Sequence, residues 1–187
     1  LIKKIKDNLP ELPDQKKERF IKNYSLNAYE ANVLVSEKEI SNYFEEVVKT
    51  SDVKLAKNWI MGDLFASLNE KNISISESLV TVKTMSQLIN SISSGIISGR
   101  IAKEVFEIMK ETGEEPNKII KSKGLQQKSD PKELQGIVDK ILEDNKDKVE
   151  QYKSGKDKLF GFFVGQVMKI SDGKANPKLV NEILKKK

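Results

Sequence analysis

The 187-residue chain contains no cysteine and no histidine. Without cysteine there are no disulfides, no thiolate metal sites and no thiol nucleophile. Without histidine, the commonest general base and the commonest zinc ligand are both missing. A catalyst built from this chain would rest on Asp, Glu, Lys or Tyr alone, which lowers the expectation of an enzyme. No apolar run approaches the roughly 18 residues that can span a bilayer. The opening Leu1-Ile2-Lys3-Lys4-Ile5-Lys6 is amphipathic and lacks the apolar stretch of a signal peptide. A chain that opens on Leu1 is expected to have been cut from something longer. Strand signals barely occur, since no two alternating runs are joined by a hairpin turn. No phosphate-cradling glycine loop, metal-ligand cluster or nucleophile constellation is present in the sequence.

What is present is charge and helix grammar. Charged residues make up 33% and hydrophobic residues 37%, enough Leu, Ile, Val and Phe to fold. The net charge of +5 is uneven. Residues 146–187 carry eleven lysines against five acids, a balance of +6, which leaves −1 for residues 1–145. A neutral body with a basic end suggests that the end meets something anionic, although a solvated lysine surface has the same composition.

Helix starts and stops recur along the whole chain. Pro13-Asp14 opens one helix, Ser36-Glu37-Lys38-Glu39 reads as a capping box, and Asp52 caps a helix bearing Leu55, Trp59, Ile60, Leu64 and Leu68. Thr81 and Ser98 begin two more, closed near Gly95 and Gly113. Pro116 opens a short helix that stops at Gly124, and Ser129-Asp130-Pro131 opens the next. The expected fold is all-α, about ten short helices in two small domains. A helical domain covers residues 1–77 and a tail domain 78–187, with a subdivision of the tail near 125–130 left open. Asn72–Ser78 is the linker candidate. Trp59 lies on an apolar helix face and reads as core. The pairs Glu45-Glu46 and Glu114-Glu115 read as surface charge, and Lys185-Lys186-Lys187 as a frayed tail.

The stretch from Lys156 to Lys169 is the most apolar in the chain and is expected to be largely buried. Yet it holds Gly161 and Gly165, each costing a helix about 1 kcal/mol relative to Ala. On a helix, Lys158, Gly161, Gly165 and Lys169 share one stripe, a shallow backbone groove with an ammonium at each end. Two readings compete. The glycines can let a neighbouring helix pack closely, so that leucine at either position would disrupt the fold. Alternatively, the groove admits a phosphodiester backbone whose phosphates Lys158 and Lys169 neutralise. Beyond it, Asn176-Pro177 caps the last helix. Its first amides, with Lys174 alongside, can hold an anion or simply form an ordinary capped turn. Arg100 and Lys103 can extend a basic surface or be merely solvated.

Several blocks resemble a known family. They are Leu9-Pro10-Glu11-Leu12-Pro13-Asp14, Tyr24-x-Leu26-x-x-Tyr29-x-Ala31-x-Val33-Leu34, Asn58-Trp59-x-Met61-Gly62 and Ala102-Lys103-x-Val105-Phe106. The most specific are Gly161-Phe162-Phe163-Val164-Gly165-Gln166-Val167-Met168-Lys169 and Gly173-Lys174-Ala175-Asn176-Pro177 with Val180-Asn181. Over nearly the whole chain the sequence resembles the carboxy-terminal helical and tail domains of the B subunit of the aspartyl/glutamyl-tRNA(Asn/Gln) amidotransferases. The resemblance implies a ligase fragment without an active site of its own. ATP and magnesium would bind an amino-terminal cradle domain absent here. Ammonia would come from glutamine hydrolysed by the A subunit, with a small C subunit joining the two. The tail would recognise the body of tRNA. Carried onto matching positions, RNA contact is expected at Lys156, Gly161, Gly165, Lys169, Lys174 and Asn176, with Lys153 and Lys158 added as RNA-binding candidates, and no cofactor, metal or small-molecule site is expected in this chain. The sequence departs from the family pattern at Lys128, where an apolar residue is usual, and at Lys153, where arginine is usual; the second loses a bidentate phosphate fork. The expected setting is the bacterial cytoplasm or an organelle.

Three functions follow as alternatives: a tRNA-docking module that reads shape through phosphates, a scaffold holding the amidotransferase subunits or a synthetase, and a carboxylate/lysine enzyme.

Overall fold

The computed structural model describes residues 10–127 and 130–187; Ser129, expected to share a helix cap, lies outside them, as do Leu1–Leu9. Every regular element among the described residues is helical, with no β-strand, as the sequence pattern predicts. The chain divides into two compact units, Leu1–Ile89 and Asn90–Lys187.

In the first unit, α1 (Pro13–Tyr24), α2 (Ala28–Val35) and α3 (Lys38–Val48) pack in sequence. Pro13 occupies the first helical turn of α1, and a true capping box opens α2. There the Glu30 amide donates to Asn27 Oδ1 at 2.8 Å and the Asn27 amide donates to Glu30 Oε2 at 2.9 Å. The expected box at Ser36 does not form, because Ser36 closes α2 by donating to the Val33 carbonyl and Glu37 makes no side-chain cap. Phe20, Tyr24 and Phe44 form a ring cluster with centroids 5.2–5.6 Å apart. Asp52 caps α4 (Val53–Trp59) through the Leu55 amide. A π-helical turn over Ile60–Leu64 joins α4 to α5 (Phe65–Lys71), and Asn72 stops the helix at φ 51°. Trp59, Ile60 and Leu64 are buried, as expected of core.

The segment after Asn72 is not a free linker. Ser74 and Glu77 cap a 3-10 turn at Ile75–Glu77, and Ile75 and Val80 are buried. The Tyr43 hydroxyl donates to the Val80 carbonyl at 2.9 Å. These contacts hold 75–80 to α3, and the boundary between the two compact units falls inside α6 (Val82–Ser93).

In the second unit, Ser98 caps α7 (Gly99–Thr112), and Gly113 ends it in the left-handed region at φ 71°. α7 packs against α8 (Pro116–Lys123), burying Val105, Phe106, Met109, Ile119 and Ile120. Asp130 caps α9 (Pro131–Asp144) through the Lys132 amide. Then follow α10 (Lys146–Lys153), α11 (Lys158–Ile170) and α12 (Pro177–Lys185). α9, α11 and α12 enclose a small core of Leu134, Val138, Ile141, Phe163, Val167, Ala175, Val180 and Leu184. No helix among the described residues is long and apolar enough to cross a membrane.

Candidate nucleic-acid interface

The orientation of α11 follows from which of its residues the bundle buries. It contacts α9, α10 and α12, and only Phe163 and Val167 are fully sequestered. Those two lie four residues apart on one edge, so the helical period turns Lys158, Gly161, Gly165 and Lys169 to the opposite one. Both glycines are exposed, and a Cβ built at either would find nothing within 4 Å. Within the described residues of this unit no helix packs there, which goes against the close-packing reading of the stripe. The stretch is also wetter than its composition suggests. Phe160, Phe162, Val164 and Met168 are only half-buried, and Ile170 is 57% exposed. The result is an open strip of backbone on a helix, with Lys158 and Lys169 about 16 Å apart along the axis.

The surrounding lysines are free of carboxylates. Lys153, Lys156, Lys158 and Lys169 are exposed and Lys174 is half-buried. None of the five forms an ion pair among the described residues; Lys156 only approaches Gln151 Oε1 at 3.4 Å. Lys148 places its ammonium 3.9 Å from the centroid of the Phe162 ring. The end of the chain is tied down rather than frayed, since Lys187 pairs with Asp139 at 2.7 Å.

The turn after α11 is built for capping, not for anion capture. Asn176 Oδ1 accepts from the amides of Lys178 at 3.1 Å and Leu179 at 3.4 Å. The donors that an anion would need are therefore already occupied, and Asn176 serves the helix. Ser171 is buried and accepts from the Ala175 amide. Gly173 sits at φ +73°, and its missing side chain leaves room for the Arg100 guanidinium, with which a Cβ would collide. Arg100 thus reaches the same turn as Lys174. No sequence signal foretells this, because the two positions lie on different helical groups far apart in the chain.

Elsewhere the acids have structural partners. Arg19 bridges Glu11 and Glu45, and Lys16 donates to Ser41 at 2.8 Å beside Glu45. Glu45 is therefore part of a half-buried ion network rather than loose surface charge. The Arg19 guanidinium holds the Glu11 carboxyl below its ordinary value, and the two carboxylates hold Arg19 above its own. Burial pushes the Tyr43 phenol up. No cluster of carboxylates able to hold a metal ion occurs among the described residues.

Comparison with known proteins agrees with this architecture. Residues 42–187 match the GatB domain. The chain is 57% identical to the B subunit of the aspartyl/glutamyl-tRNA(Asn/Gln) amidotransferase of Pelagibacter ubique. It is 53% identical to the protein of the same name from Ehrlichia ruminantium and 50% identical to that from Rickettsia rickettsii. In each case the whole chain aligns but spans only 39% of the relative's length. With the domain match covering most of its residues, the chain belongs to the GatB domain family.

Proposed function

We propose that the chain is the non-catalytic, tRNA-docking portion of a glutamine-dependent amidotransferase acting on Glu-tRNA(Gln) and Asp-tRNA(Asn). It positions the misacylated tRNA for ATP-dependent amidation carried out elsewhere in the complex. The observation that carries this reading is the solvent-open strip of α11, with unpaired lysines at both ends and more alongside. Ammonium groups without carboxylate partners have no internal salt bridge to break before meeting phosphates, and phosphate contacts position an RNA without reading its bases. On this reading the RNA-facing tail begins near residue 78. ATP and magnesium belong to a cradle domain outside the chain, the A and C subunits are its protein partners, and the setting is the bacterial cytoplasm.

Salt dependence tests it. Lys158→Ala and Lys169→Ala should each lower the slope of log affinity for tRNA against log salt by about 0.7–0.9. Both should weaken different tRNAs about equally. Unchanged slopes in every lysine variant favour a second reading, a scaffold for the other subunits. That reading draws on Tyr29, which is 73% exposed on α2.

A further inference from the structure

α10 lies over the tail bundle without burying any of its own residues completely. It contacts α9 and α11, yet beneath it remains a cleft of about 230 Å³. Val149, Tyr152, Phe160 and Phe163 line its apolar wall, and Lys153 and Lys187 are its charged lining residues. The rings are loosely assembled. Tyr152 stands 6.2 Å from Phe160 and 6.5 Å from Phe163, near the far end of the range for aromatic pairs. Tyr152 is 36% exposed, so part of its ring faces solvent.

We infer that this cleft takes one unstacked nucleobase from a single-stranded RNA segment, which stacks on Tyr152 while Lys153 meets the adjoining phosphate. The inference rests on the RNA-docking function proposed for α11 and names a second kind of contact for it. Size points to a small occupant, because the cleft is below the roughly 300–1,000 Å³ of pockets that hold drug-sized ligands. Shape and chemistry point to a flat, apolar-faced group, since aromatic side chains are the usual platforms for unpaired bases. Charge points to an anion attached to that group. Both charged lining residues are cations, and Lys153 has no carboxylate partner among the described residues, whereas Asp139 neutralises Lys187. A base within a duplex cannot enter, because its faces are already stacked.

The test compares a fluorescent single-stranded oligonucleotide with the same strand annealed to its full complement, each titrated against the 187-residue chain. Tyr152→Ala should weaken the single strand about 5- to 150-fold, the range measured for losing one stacked base, and leave the duplex unchanged. Tyr152→Phe should retain most of the binding. Val149→Trp, which fills the cleft, should mimic Tyr152→Ala. Should Tyr152→Ala fold poorly, 2-aminopurine in the single strand reports stacking on the unaltered chain, and its fluorescence should be quenched on binding. Undiminished single-strand affinity in Val149→Trp, or 2-aminopurine emission unaffected by binding, overturns the inference. If duplex binding still depends on Lys158 and Lys169 in that case, the phosphate surface of α11 stands without the base pocket. If neither RNA binds, both readings fall.

Discussion

Arg19 divides one guanidinium between two carboxylates, Glu11 and Glu45, and lies 5.3 Å from the Phe20 ring centroid. The side chain is 33% exposed, so solvent screens much of the attraction. Arg19→Met should therefore cost only about 1 kcal/mol at neutral pH, read from thermal unfolding. The pH dependence has a definite sign. Glu11 titrates below its ordinary 4.5 in the folded chain, so its contribution is complete above that value and is lost as the pH falls through the lowered one. The gap in melting temperature between wild type and Arg19→Met should be constant near neutrality and close in acid; a gap that widens there contradicts the pairing. Gly173 needs to be glycine chiefly for its φ of +73°, and the Arg100 guanidinium lies where a Cβ would stand. Gly173→Ala should destabilise by about 1–3 kcal/mol. The guanidinium is the far end of a flexible side chain and can swing aside, so adding Arg100→Ala should recover little of that loss.

At the scale of the element, α11 behaves unlike a buried glycine helix. With nothing within 4 Å of either position, Gly161→Ala and Gly165→Ala should each raise stability by about 1 kcal/mol, since alanine removes the entropic cost of glycine and meets no neighbour. Leucine should also fold, contrary to the expectation from close packing, and on the proposed docking function it should cover the strip and weaken RNA binding. Circular dichroism melts and tRNA titrations of the same variants separate these outcomes. This element shows where sequence reasoning reaches and where it stops. Asp52, Ser98, Gly113 and Asn176 are readable as helix ends because a cap depends on residues three or four positions away. The sharing of one face by Lys158, Gly161, Gly165 and Lys169 is readable for the same reason. Whether that face looks inward is not, because it is decided by how α9 and α12 close over Phe163 and Val167. The polar stretch after Asn72 misleads similarly. Its composition says linker, but a hydroxyl 37 residues earlier, on Tyr43, secures Val80. Arg100 against Gly173 belongs to the same class of non-local facts.

For the whole molecule, the uneven charge matters more than its total. Replacing Lys153, Lys156, Lys158 and Lys169 with Gln should lower the salt needed to elute the chain from a phosphate resin markedly. Replacing four lysines among residues 10–89 should lower it much less. Equal shifts would mean that net charge alone governs retention. The bare strip on α11 has one more use. As the chain contains no cysteine, a Gly165→Cys variant would carry its sole thiol on a face where no neighbour obstructs it. A photoreactive group attached to that sulfur would label whichever molecule settles over the helix, nucleic acid or protein.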